Sequence, residues 1–176
     1  MKHSIQRFDR AAAGLIARFP PSSRIGMEFF TLIGQPPFTV GIGAAVLGYG
    51  AALEKPQYIV AGSIAIATII VTSLLKLFLR RARPVNDYVR HMLFQTFSFP
   101  SGHAAGGLVS YGLAAFVVSL RWPELTVIAW TLAIVFSLMI GISRVYLGAH
   151  YASDVVGGWI VGAVGLLALL LIETSA

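Results

Sequence analysis

Cysteine is absent from this sequence and acidic residues are scarce: seven Asp and Glu stand against thirteen Lys and Arg. Without cysteine the chain has no disulfide framework and no thiolate metal site. Charge of either sign is sparse, 11% of 176 residues, where an ordinary soluble domain carries about 25%. Set beside 57% apolar residues and a mean hydropathy of +0.80, that scarcity argues against a soluble globule and for a polytopic membrane protein. A clean apolar stretch is also lacking at the N-terminus. Arg7, Asp9, Arg10 and Arg18 interrupt it, so no signal peptide is expected. The net charge of +6 suits anionic lipid or a phosphorylated substrate, and nucleic acid is not expected as a partner of so apolar a chain.

A span needs about 20 mostly apolar residues to cross the hydrocarbon layer. That length finds five candidates, at 36–53, 57–79, 101–120, 124–143 and 152–172. Pro36 and Pro37 mark the start of the first, and a sixth span is left open. Residues 5–19 read instead as an amphipathic helix lying in the membrane surface, with Ile5, Phe8, Ala12, Leu15 and Phe19 recurring at helical spacing against Arg and Asp. The expected fold is all-α: a membrane bundle of five to six helices at 36–172, preceded by an interfacial arm at 1–35, in a single domain. Runs such as GIGAAVLGYG and GGWIVGAVG supply small residues for close helix packing in lipid.

Charges at the ends of spans are costly, which makes them functional candidates. Here they gather at one level, because successive spans run in opposite directions. In KLFLRRARP, Lys76 and Arg83 lie seven residues apart, about two helical turns, and project from one side, while Pro84 stops the helix. In FPSGHAAG, Pro100 ends an extended segment and Ser101 is a good N-cap. The amides that follow form an anion site, Gly102 lets an anion approach the backbone, and His103 stands within reach of it. Alone, His103 reads as a hydrogen-bonded structural residue. SRVYLGAHYASD changes that reading: Arg144 adds a third cation, and His150 and Asp154, four apart, set a carboxylate beside an imidazole. Such a carboxylate fixes the tautomer and leaves the other ring nitrogen as nucleophile or base.

These three stretches resemble the signature of the type 2 phosphatidic acid phosphatase family, whose fold and site chemistry are shared with vanadium haloperoxidases. The K-x6-R-P, P-S-G-H and S-R-x5-H-x3-D patterns are met by Lys76 to Arg83 and Pro84, by Pro100 to His103, and by Ser143, Arg144, His150 and Asp154. The resemblance implies that His150 attacks phosphorus to form a phosphohistidine, with Asp154 orienting its ring. It implies that His103 protonates the leaving group and then activates water. Lys76, Arg83, Arg144, Ser101 and Gly102 would hold the phosphoryl oxygens, with no metal or other cofactor. Arg80, Arg81, Arg90 and His91 are possible headgroup contacts, the last two in a link at 85–99 that is equally an interfacial loop anchored by Tyr88, Phe94 and Phe97.

The expected function is therefore a membrane lipid phosphatase acting on a phosphomonoester or diphosphate of the phosphatidate, phosphatidylglycerol phosphate, polyprenyl diphosphate or lipid A class. A phosphotransferase using the same site is the enzymatic alternative, and an anion channel or transporter the non-enzymatic one. A pore wants basic residues along its length, whereas these crowd at one level. As to the membrane face, Arg80, Arg81 and Arg90 on the site side against Lys55 and Arg121 opposite argue for a cytoplasmic site. The resemblance argues for an outward one in a bacterial plasma membrane. The outward site is the expectation carried forward, because substrate-binding charges imitate a topological signal.

Overall fold

A computed structural model describes residues 2–92 and 96–173, so Phe94 lies outside the described residues. Among them the regular structure is helical: α1 (Lys2–Ile16), α2 (Arg24–Ile33), α3 (Pro36–Ala52), α4 (Pro56–Leu79), α5 (Asp87–Arg90), α6 (Gly102–Arg121), α7 (Thr126–Tyr146) and α8 (Ala152–Glu173). Proline opens α3 and α4, where a missing N–H costs nothing and φ is already helical. Four stretches are each long and apolar enough to cross a membrane: α4, α6, α7 with the single 3-10 turn before it, and α8.

The remaining crossing is broken. α2, with the 3-10 turn at Pro21–Ser23, and α3 meet the same criterion together but are bent by 43° at the Gly34 joint. Tyr111 donates to the carbonyl of Ile33 at 3.0 Å and Ser110 to that of Thr39 at 2.9 Å, so mid-α6 is stitched across the break. Counted as one span, the pair brings the total to five. On that count the crossing begins in α2, ahead of the Pro36 start read from sequence. No sixth span is found among the described residues.

α6 is the central post, packed against α3, α4, α7 and α8. Of its apolar window 56% is covered by protein, against 22% to 33% in the other three long stretches. Small residues make this possible. Ala104, Ala105, Gly106 and Gly107 are buried in its first two turns, and Ile69, Val109, Leu113, Phe116 and Leu169 fill the core beneath. Outward-facing Ile70, Phe78, Val127, Ile160 and Leu167 are exposed on the bundle's flanks, where lipid is their solvent. In consequence the C-terminal ends of α4 and α7 and the N-terminal ends of α6 and α8 converge on one level.

Candidate active site

α4 stops where Arg80 adopts a left-handed conformation (φ 46°) and its N–H bonds the carbonyl of Lys76. The chain then runs without regular structure to Asn86, which carries Arg83 over the start of α8. Asn86 anchors this stretch, accepting from the N–H of Val89 at 2.9 Å and donating to the carbonyl of Gly148 at 2.7 Å. Gly148 has φ +68°, a conformation glycine adopts without a Cβ penalty. That turn swings the chain from α7 into His150.

Arg83 donates to the carbonyl of Thr96 at 2.7 Å, to the carbonyl of Ala149 at 2.9 Å and to Nε2 of His150 at 3.1 Å. A guanidinium has donors only, so Nε2 is the lone-pair nitrogen and Nδ1 carries the ring hydrogen. Nδ1 faces Oδ2 of Asp154 at 3.4 Å. Burial pushes the His150 imidazole well below its ordinary pKa, and Arg83, Arg144 and Lys76 push the same way. His150 is thus neutral, with its lone pair turned toward the cations. Burial, then Arg144, lowers the Arg83 guanidinium as well.

The phosphate-binding candidates of the sequence are brought together. Buried Lys76 donates to the carbonyl of Phe97 at 3.2 Å, and a Cβ built on Gly102 would lie 3.8 Å from its Cε, placing the ammonium beside the α6 N-terminus. Ser101 caps that helix, accepting from the N–H of Ala104 at 3.4 Å, while its own N–H bonds the carbonyl of Asp154 at 2.9 Å. This pins the starts of α6 and α8 together. Arg144, only 1% exposed, reaches Thr31 Oγ1 at 3.3 Å and the Tyr88 hydroxyl at 3.4 Å. Ser143 gives its hydroxyl hydrogen to the carbonyl of Ile140 at 2.7 Å, so in its 2.8 Å bond with Thr31 it accepts. Arg144 to Thr31 to Ser143 is a one-way chain of donors. Among the described residues, the buried side-chain nitrogens without a hydrogen-bond partner are His103 Nε2, Arg144 Nε and His150 Nδ1. His150 Nδ1 is turned to Asp154 just beyond hydrogen-bond geometry; since buried polar atoms are nearly always paired, the other two, His103 Nε2 and Arg144 Nε, mark a place suited to a ligand.

The four headgroup candidates fare differently. Arg80 is exposed and donates to the carbonyl of Leu77 at 2.9 Å. Arg90 pairs with Asp87 at 3.5 Å and His91 Nδ1 meets the Asp87 carbonyl at 2.7 Å, both exposed. Arg81 has partners that the sequence reading did not foresee: it donates to Oδ1 of Asp154 at 2.7 Å and to Oδ2 of Asp9 at 2.8 Å, and its guanidinium lies 4.3 Å above the Tyr151 ring. Tyr88, read as an interfacial anchor, instead touches Arg144. Spacing gave no sign of Asp9, Thr31, Thr96 or Ser153, since their partners lie far along the chain. Two apolar-walled grooves, of about 380 and 290 Å³, lie elsewhere: one beside Tyr49, Tyr58 and Trp122, the other along Tyr111, Leu132 and Phe136.

A helical membrane bundle with clustered cations, a capped helix N-terminus and a carboxylate-backed histidine at one level has a known counterpart. The family model described as PAP2 superfamily matches residues 57–175, and the chain belongs to that superfamily. Phosphatidylglycerophosphatase B of Bacillus subtilis is 34% identical over 107 residues, 59% of this chain and 50% of that protein. An undecaprenyl-diphosphatase of Sulfolobus acidocaldarius is 30% identical over 103 residues, 56% of this chain and 46% of that protein. The chain thus spans about half the length of these curated relatives. The crystal structure of a transmembrane PAP2 type phosphatidylglycerolphosphate phosphatase from Bacillus subtilis superposes with a TM-score of 0.80 at 26% identity, covering 98% of this chain and 87% of that one.

Proposed function

We propose that the protein is an integral membrane phosphatase that hydrolyses a phosphomonoester or diphosphate of a membrane lipid through a phosphohistidine at His150. The observation that carries this reading is the polarity of that ring: Nε2 accepts from Arg83 at 3.1 Å, and Nδ1 is turned to Asp154. In the first step the Nε2 lone pair attacks the terminal phosphorus, an N–P bond forms, and the bond from that phosphorus to the leaving oxygen, the lipid oxygen of a monoester or the bridging oxygen of a diphosphate, breaks. His103, charged only once the phosphoryl oxygens stand beside it, gives its proton to the departing oxygen. In the second step His103 takes a proton from water, the hydroxide attacks phosphorus, the N–P bond breaks, and inorganic phosphate leaves. Lys76, Arg83, Arg144 and the amides after Ser101 hold the equatorial oxygens as charge develops on them. The names of the relatives support a lipid phosphate as substrate.

The test is a panel of lipid phosphates and diphosphates presented to purified protein, with and without an added acceptor alcohol. Release of inorganic phosphate to water is expected, and His150→Ala should abolish it. Full activity in that variant would discard the mechanism, and transfer of the phosphoryl group to the alcohol would make the protein a phosphotransferase.

A further inference from the structure

Asp9 is 6% exposed although it belongs to α1, a helix otherwise mostly exposed. Its carboxylate receives three hydrogen bonds. Oδ1 takes the backbone N–H of Ser153 at 2.8 Å, and Oδ2 takes the Ser153 hydroxyl at 2.9 Å and Nη2 of Arg81 at 2.8 Å. A buried carboxylate is costly unless paired and bonded in this way. The first bond makes Asp9 a cap for the N-terminus of α8, supplied from another helix. That alone would be a structural brace. The second partner makes it more, because Arg81 spans two carboxylates: Nη2 on Asp9, and Nη1 on Oδ1 of Asp154 at 2.7 Å. Ser153 Oγ also receives Nη1 of Arg81 at 2.7 Å.

The geometry points to Asp9 as a positioning residue for the His150–Asp154 pair, acting through Arg81 and Ser153; this inference rests on the proposed phosphatase reading. Two physical effects follow from the contacts. Arg81, fixed at both ends and lying over Tyr151, holds Oδ1 of Asp154, while the N–H of Tyr151 holds Oδ2 at 2.9 Å, and the carboxylate presents that oxygen to Nδ1 of His150. The second effect is charge. Arg81 alone would cancel Asp154, whereas two carboxylates around one guanidinium leave a net negative charge beside the ring that must become cationic when Nε2 bonds phosphorus. The cations on the other side, Lys76, Arg83 and Arg144, are untouched by Asp9.

The experiment compares Asp9→Asn and Asp9→Glu with wild type in detergent, measuring kcat and KM for a lipid phosphate hydrolysed by wild type, and vanadate affinity by calorimetric titration. Asn should lower kcat about 10-fold, the scale of supporting-shell losses, with KM and vanadate affinity within about twofold of wild type. Glu, which keeps the charge, should retain more of kcat. Equal kcat in Asn and wild type would overturn the inference alone, and so would equal loss in Glu and Asn. Joint loss of vanadate binding and activity would make Asp9 a general brace of the fold and also overturn it. If wild type releases no phosphate from any lipid in the panel, the phosphatase reading itself fails and the inference falls with it.

Discussion

His150 is kept neutral by its surroundings: buried, and within reach of Arg83, Arg144 and Lys76, it resists taking a proton, while Asp154 faces its other nitrogen. A nucleophilic imidazole must be neutral to attack, so the depressed pKa keeps it competent below the ordinary histidine range and the acid limb of the rate profile lies lower than an exposed histidine would put it. Arg83→Gln removes the cation in direct contact with Nε2. The sign follows: with one less positive neighbour the imidazolium costs less, the pKa rises, and the acid limb of kcat/KM moves to higher pH. Because Arg83 would also grip the phosphate under the proposed function, kcat/KM should fall on the order of 100-fold. Profiles of both proteins on one lipid phosphate check this, the substrate's own ionisation cancelling between them; an unmoved limb would count against the contact. At this scale the motif residues Lys76, Arg83, His103, His150 and Asp154 were legible as a set, but the helix read from Lys76 through Arg83 to Pro84 was wrong: α4 ends at Leu79, where Arg80 turns left-handed, and Arg83 reaches His150 from irregular chain. Arg81 was not legible in this way. Its partners Asp9 and Asp154 lie 72 and 73 residues away, and the distance along the chain hides a contact that the fold makes. Thr31, 113 residues from Arg144, was hidden in the same way.

Helices set where those residues stand, and their legibility followed from length. α4, α6, α7 and α8 each carry an uninterrupted apolar run, so their spans were plain in the sequence. The α2–α3 crossing was read only from Pro36, because neither half reaches the length of a span alone and the Gly34 joint interrupts the pattern. α1 was legible as an amphipathic helix, and Ile5, Phe8 and Leu15 do face away from the protein; its docking through Asp9 was not, since one acid among arginines carries no signal of its partner. The α6–α8 contact is the one on which the site depends most, since Ser101 and Asp154 begin those helices. It is built on glycines. A Cβ at Gly162 would sit 2.7 Å from the carbonyl oxygen of Ala105 and 3.1 Å from Cβ of Leu108. Backbone cannot yield as a flexible side chain can, so Gly162→Val must push the helices apart, at a cost of about 1–3 kcal/mol. The expected outcome is a lower melting temperature in detergent together with lost activity, although the substitution lies about two turns from Asp154. Thermal unfolding followed by circular dichroism checks the first part, and unchanged melting would show that α8 accommodates the bulk.

For the molecule as a whole, the decisive feature is that chemistry and anchoring share one end. The bond from Asp9 to Ser153 places α1, with Arg7 and Arg10, and Arg18 just after it, on the site side of the bundle. A simple count of basic residues would then put that side in the cytoplasm. Only part of that count can be set aside. Arg83 and Arg144 leave it as members of the candidate phosphate-binding cluster, whereas Arg24, Arg80, Arg81 and Arg90 stay in it, because pairing with an acid does not discharge a basic residue under this rule. The basic residues of α1 belong to an amphipathic helix whose exposed Ile5, Phe8 and Leu15 suit a membrane surface, where basic residues would serve lipid headgroups as well as topology. The count still leans to the cytoplasm, and the outward site is the expectation that the family resemblance carries against it. Since α8 starts at the site and crosses away from it, the C-terminus must lie on the opposite face whatever the number of spans before it. A reporter fused after Ala176 that is active only in the cytoplasm should accordingly be active, and one that requires export silent. The opposite pattern would place the candidate site on the cytoplasmic side.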